Sequence, residues 1–197
     1  MKVKGSQAGW GFWLGWVLAS TVGWIIGFII GFGLGLFIVG EDTGINVLSS
    51  ILGDFIFGAG IGFGVGILQW LVLRRRVSRA GWWILASTAG LAVAWGGGGV
   101  LRLGSSAERV AVMALGGAVA GILQWLVLRG KVSRAGWWVL ASTVGWALSI
   151  AVREVLTDPG GGGIMGNLMP GVVLGAVTGG ALVWLLRQPV PEAQLEG

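Results

Sequence analysis

The chain contains no cysteine and no histidine, and only 11% of its 197 residues are charged. Without cysteine there is no disulfide and no thiolate chemistry. Without histidine the imidazole general base and the commonest metal and haem ligand are gone. The shortage of charge excludes more, because soluble domains carry about 25% charged residues. With 55% hydrophobic residues and a mean hydropathy of +0.86, this chain cannot cover itself with polar surface in water. Lipid is its expected solvent. A pI near 11.1 would suit nucleic acid. Here, though, the cations stand beside apolar runs, where they act as topology signals, and no nucleic-acid partner is expected.

What is present is apolar sequence in six runs, at roughly 8–40, 47–73, 80–101, 107–128, 135–152 and 165–186. About 20 helical residues cross the ~30 Å of a bilayer core. The first run is too long, since 33 helical residues would reach about 50 Å. It must tilt, protrude, or begin as an interfacial segment around Trp10–Trp16. Barrel strands are short and alternate polar with apolar positions; these runs are continuous. Lys2 and Lys4 before the first run resemble a secretory leader, but its Leu-Ala-Ser-Thr element recurs in mid-chain, which predicts a retained helix.

The passage GILQWLVLRRRVSRAGWWILAST at 66–88 returns at 121–143 with 20 of 23 positions identical. Each copy reads as a helix end, a basic turn and the next helix start. Aligning Leu18, Leu85 and Leu140, and Gln69 with Gln124, gives three tandem helical hairpins, about 8–74, 80–129 and 135–187. The third ends in GALVWLLR, which puts Val183 in the glutamine slot. The expected fold is all-α and integral to the membrane: one six-helix domain over 1–187 with a pseudo-threefold arrangement. Residues 188–197 read as a disordered cytoplasmic tail.

Ten of the 13 cations (Lys2, Lys4, Arg74, Arg75, Arg76, Arg79, Arg129, Lys131, Arg134 and Arg187) fall at one predicted face. Glu41, Asp42, Glu108 and Asp158 fall at the other, with Arg109 a minority cation. The positive-inside rule then makes both termini and both basic turns cytoplasmic, in a bacterial inner or internal membrane. Tryptophans crowd the basic edge, as in an aromatic belt. The arginines and lysine of the two turns, with Trp82, Trp83, Trp137 and Trp138, are candidate contacts for anionic lipid headgroups.

Helices in lipid associate by close packing of small residues. Gly11, Gly15, Ala19, Gly23, Gly27, Gly31 and Gly35 recur every four positions, as do Gly58, Gly62 and Gly66, and Gly171, Gly175 and Gly179. The first row drifts around its helix and is expected to reach more than one neighbour.

Few residues are available for chemistry. Asp54 continues the row of Gly58 into a packed groove, while Arg102 and Arg153 extend rows on their own helices; together they suggest an ion-pair network near the outer surface. Gln69 and Gln124 suit interhelical hydrogen bonds, with a weak pigment-metal ligand or a headgroup contact as alternatives. Gly96–Gly99 reads as an interruption of the third helix, lining a cavity or marking the outer boundary. Neither that tetrad nor Gly160–Gly163 ends in the Lys-Ser/Thr of a phosphate loop. No catalytic residue, metal site or cofactor is implied, and no nucleophile–base pair can be assembled.

The QWLVLR…AGWW elements resemble a group of bacterial membrane proteins from cyanobacteria and related phototrophs that carry the same repeats. The resemblance implies a membrane module and no particular activity. The functional expectation is a non-catalytic accessory or assembly subunit, or a homo-oligomer, in contact with membrane lipids. A small channel or transporter is the alternative, followed by a lipid-, quinone- or carotenoid-binding protein.

Overall fold

The computed structural model describes residues 9–39, 47–78, 80–101, 104–157 and 164–188. Every regular element among them is helical: α1 (Trp10–Val39), α2 (Val47–Leu73), α3 (Trp82–Leu101), α4 (Ser106–Leu128), α5 (Trp137–Leu156) and α6 (Ile164–Arg187). All six are long and apolar enough to cross a bilayer, which makes this a multi-pass membrane protein. Lipid offers no partner to a free N–H or C=O, so a chain of this composition keeps its backbone hydrogen bonds inside each helix.

Each helix packs on its neighbours in sequence, and α6 packs back on α1. The six therefore close into a ring. Adjacent helices run antiparallel, as the close approaches show. A Cβ built on Gly23 would lie 2.7 Å from the Cα of Val65, and one on Gly27 would lie 2.6 Å from the Cα of Ile61. At the closing seam, Gly171 meets Thr21 and Gly175 meets Val17, each at 2.8 Å by the same construction. These glycines are needed for what they lack, because any side chain would drive into a neighbouring backbone.

Helix α2 is wedged between two such seams. Gly60 and Gly64 face α1, whereas Gly58, Gly62 and Gly66 face α3 at Leu91, Ser87 and Ile84. The four-step row on α1 behaves differently from expectation. Gly23, Gly27 and Gly31 all press on α2, while Gly11, Gly15 and Gly35 have open space around them. The second seam of α1 is made instead by the glycines of α6. A gentle drift of ~40° per step is not enough to carry the row to another helix before the seam ends.

Two sequence expectations change. Helix α3 runs unbroken through Gly96–Gly99. The ring of Phe55 lies against Gly96 and the carboxylate of Asp54 against Gly99, so neighbouring side chains occupy the space the glycines leave. Opening the helix there would strand backbone groups at a cost of several kcal/mol each, on the order expected in hydrocarbon. Helix α1, 30 residues long, is a single helix from Trp10. Trp16 has no exposed surface and belongs to the core, so α1 has joined the bundle by Trp16, while Trp10 is 77% exposed.

The main core cluster joins Trp16, Leu73, Trp83, Leu128, Trp138 and Leu182, with Val77 and Val132 from the two basic turns. Both turns therefore lie at the same end of the ring, beside the start of α1 and the end of α6.

Candidate functional site

The polar groups of the bundle converge on its centre. Ser20, Ser87 and Ser142 hold the same place in the three Leu-Ala-Ser-Thr elements, and each follows a tryptophan by four residues. One turn apart on a helix, the two side chains share the inward face. Trp16, Trp83 and Trp138 are at most 1% exposed and meet one another pairwise, with ring centroids 5.2 to 6.2 Å apart. Their indoles fill the axis.

Each indole N–H needs an acceptor once it is out of water. Trp83 Nε1 donates to Gln69 Oε1, and Trp138 Nε1 donates to Gln124 Oε1, both at 2.9 Å. The amide nitrogens then donate onward: Gln69 Nε2 to Ser20 Oγ at 3.0 Å, and Gln124 Nε2 to Ser87 Oγ at 2.9 Å. Ser20 and Ser87 in turn donate to the carbonyls of Trp16 and Trp83. Each glutamine thus ties the first helix of its own hairpin to the first helix of the next. Of the roles open to Gln69 and Gln124 from sequence, the geometry is that of interhelical hydrogen bonding.

The third position corrects the sequence alignment. Trp16 Nε1 donates to Thr178 Oγ1 at 3.0 Å, not to anything at Val183, which is only partly buried. Gly66 and Gly121 meet the Cβ of Ser87 and Ser142, and the glycine that meets Ser20 is Gly175. Counting three residues on from each reaches Gln69, Gln124 and Thr178; counting seven reaches Leu73, Leu128 and Leu182, all fully buried. On α6, GAVTGGAL at 175–182 thus packs against Ser20 as the two GILQWLVL segments pack against Ser87 and Ser142. GALVWLLR misled because it keeps the Trp-Leu letters while its register on the helix is five residues off. Threonine is too short to reach Ser142, whose hydroxyl donates across to the carbonyl of Gly117 at 2.8 Å.

Beside this polar belt lies a cavity of about 20 Å³, bordered by Gln69, Gln124, Ser142 and Thr178. That is room for one water molecule and not for a path.

The basic end divides the tryptophans. Trp82 and Trp137 are 63% and 56% exposed, as lipid-facing residues should be. Trp83 and Trp138, also candidates for headgroup contact, are buried in the axis and cannot serve it. Neighbouring residues on a helix point about 100° apart, so one member of each Trp-Trp pair turns inward. Arg74 stacks over Trp70 at 5.2 Å, Arg76 over Phe12 at 4.9 Å and Arg129 over Trp125 at 5.7 Å. Lys131 donates to the carbonyl of Ser78, which links the two turns. Arg75 and Arg134 are at these turns too, Arg134 with a left-handed φ of 58°; Arg79 lies outside the described residues.

At the opposite end the expected network has a different centre. Glu154 accepts from Arg109 at 2.5 Å and from Ser106 at 2.8 Å, and Arg153 lies 3.6 Å away. Asp54 faces α3 as its glycine row predicts, but among the described residues it pairs with no cation. Arg102 lies outside the described residues. Glu154 was legible only as an acid in the last turn of an apolar helix, next to Arg153. Glu108 closes a capping box with Ser105 at the start of α4. Among the described residues no three potential metal-ligating side chains come together.

No family model matches the chain, and comparison with curated proteins and with solved structures also finds no match.

Proposed function

We propose that this chain is a non-catalytic module of a bacterial cytoplasmic or internal membrane, an accessory or assembly subunit of a larger complex or of a homo-oligomer. Its three hairpins are pseudo-equivalent about an axis normal to the membrane, and its basic turns and termini face the cytoplasm. One observation carries the reading: the axis is filled by Trp16, Trp83 and Trp138, whose polar atoms are already spent on one another's hairpins. A conduit needs an open or wettable path with polar groups left for the passenger, and a transporter of the inverted-repeat kind needs two halves of opposite polarity. Here the polar groups serve cohesion.

Extraction of the native protein in a mild detergent, with the particle mass read by light scattering and its composition by cross-linking, tests this. A defined particle well above the 20.4 kDa of one chain is the expected result. A lone monomer that passes ions or small metabolites into liposomes would overturn it in favour of a channel.

A further inference from the structure

A wide groove opens at the basic end of the ring. Between α3 and α4 runs a groove of about 800 Å³, with Leu85 and Ala89 on one wall and Leu123 and Leu126 on the other. Its mouth is formed by Trp82, Arg129 and Lys131. From Trp82 to Ala89 is seven residues, or about 10 Å along the helix. The groove is thus apolar along its length and cationic at one end. Among the described residues both ion pairs lie at the far end, on Glu154, so the charges at this mouth meet no carboxylate.

The repeated seam between α5 and α6 is lined differently. Trp137, the counterpart of Trp82, packs edge-on against Trp184 of α6 with centroids 6.4 Å apart. Val144 stands where α3 has Ala89. Trp184 thus takes an edge of the Trp137 indole, whereas Trp82 lines the open groove. At about 800 Å³ the α3–α4 groove is larger than the hollows of about 380 Å³ beside Trp137 and about 320 Å³ between α1 and α6 at the same edge.

We propose that this groove binds one anionic phospholipid, its headgroup phosphate on Arg129 and Lys131 and an acyl chain laid along Leu85, Ala89, Leu123 and Leu126. Charge complementarity selects the occupant. Arg129, stacked on Trp125, and Lys131, which donates to the Ser78 carbonyl, meet no carboxylate among the described residues; with an indole beside them they suit a phosphate in the headgroup layer, and the channel below suits a hydrocarbon chain. The inference goes beyond the accessory-module reading and does not depend on it, since a channel could hold the same lipid.

Native mass spectrometry of the delipidated protein in mild detergent, titrated in parallel with phosphatidylglycerol and phosphatidylcholine, tests the proposal. One phosphatidylglycerol per chain should be retained about 30-fold more tightly than phosphatidylcholine, as two nearby cations at ~1 kcal/mol each imply. The R129Q/K131Q variant should lose that preference. Ala89→Leu, which narrows the groove and leaves both charges in place, should weaken retention of both lipids. Each variant is first checked by its melting temperature. Equal retention of the two lipids by the unaltered protein, or a preference that survives R129Q/K131Q, overturns the proposal. So does stoichiometric occupation of the groove by a protein partner, seen as cross-links from residue 85 or 126.

Discussion

The indole nitrogen of Trp16, near the start of the first helix, donates to the hydroxyl of Thr178 on the last, 162 residues away. It fastens the two ends of the chain and closes the ring. Interhelical hydrogen bonds of this kind in a bilayer contribute about 0.6 kcal/mol on average and at most about 1.7. Trp16→Phe should therefore lower thermal stability in detergent modestly, and Thr178→Val by a comparable amount. A double-mutant cycle on the pair should show positive coupling of that order. Strict additivity would mean that the bond contributes nothing to closure.

Gln69 carries two such bonds, and its loss leaves the Trp83 N–H buried with no acceptor. Gln69→Leu should cost about 1–3 kcal/mol, the range for stranding a buried donor. Gln124→Leu should behave alike, since it holds the same partners one hairpin on. Denaturation followed by tryptophan emission reads both. A clear difference between the two would show that the hairpins are not energetically equivalent.

The corrected register makes its own prediction. With the small cavity beside Thr178 to receive a longer side chain, Thr178→Gln should keep the fold and bring an amide within reach of Ser142. Its melting temperature should stay at or above that of the unaltered protein. Val183→Gln, the substitution suggested by sequence alignment, places an amide outside the belt and should give no gain. If Val183→Gln stabilises and Thr178→Gln does not, the equivalence of Thr178 with Gln69 is wrong.

Two glycines of one row should respond oppositely. A Cβ at Gly27 would sit 2.6 Å from the Cα of Ile61, so Gly27→Ala must push α1 and α2 apart. Overpacking of this sort costs about 1–3 kcal/mol. Gly15 has nothing within 4 Å, and Gly15→Ala should be neutral or gain up to about 1 kcal/mol from helix propensity. Melting temperatures of the two variants decide the matter.

Because the chain has no cysteine, single cysteines report cleanly on sidedness. Cysteines placed at Arg75 and at Gly130, in the two basic turns, should react with an impermeant maleimide only after the cell is opened. Reaction of one turn from outside and the other from inside would break the same-facing hairpin scheme.

The number of helices and their approximate ends were readable in the sequence because hydrocarbon admits little else: a continuous apolar run in this solvent has to satisfy its backbone as a helix. The repetition of QWLVLR and AGWW also put both basic turns at one end. Which member of each Trp-Trp pair faces lipid was not readable. Trp82 and Trp83 are the same letter with the same hydropathy, and only the azimuth set by packing against α2 and α4 sends one outward and the other to the axis. The third glutamine slot was lost for a similar reason, since helix register is a spatial property and Trp-Leu-Leu imitates a motif without occupying its place. Gly96–Gly99 misled because propensity is a local quantity, and the groups that fill around it, Phe55 and Asp54, come from another helix. Solvent and backbone chemistry act on each segment separately, so the sequence alone determined them. Ring closure, the axial tryptophans and the open groove between α3 and α4 depend on which surfaces meet, and that was decided only in the folded bundle.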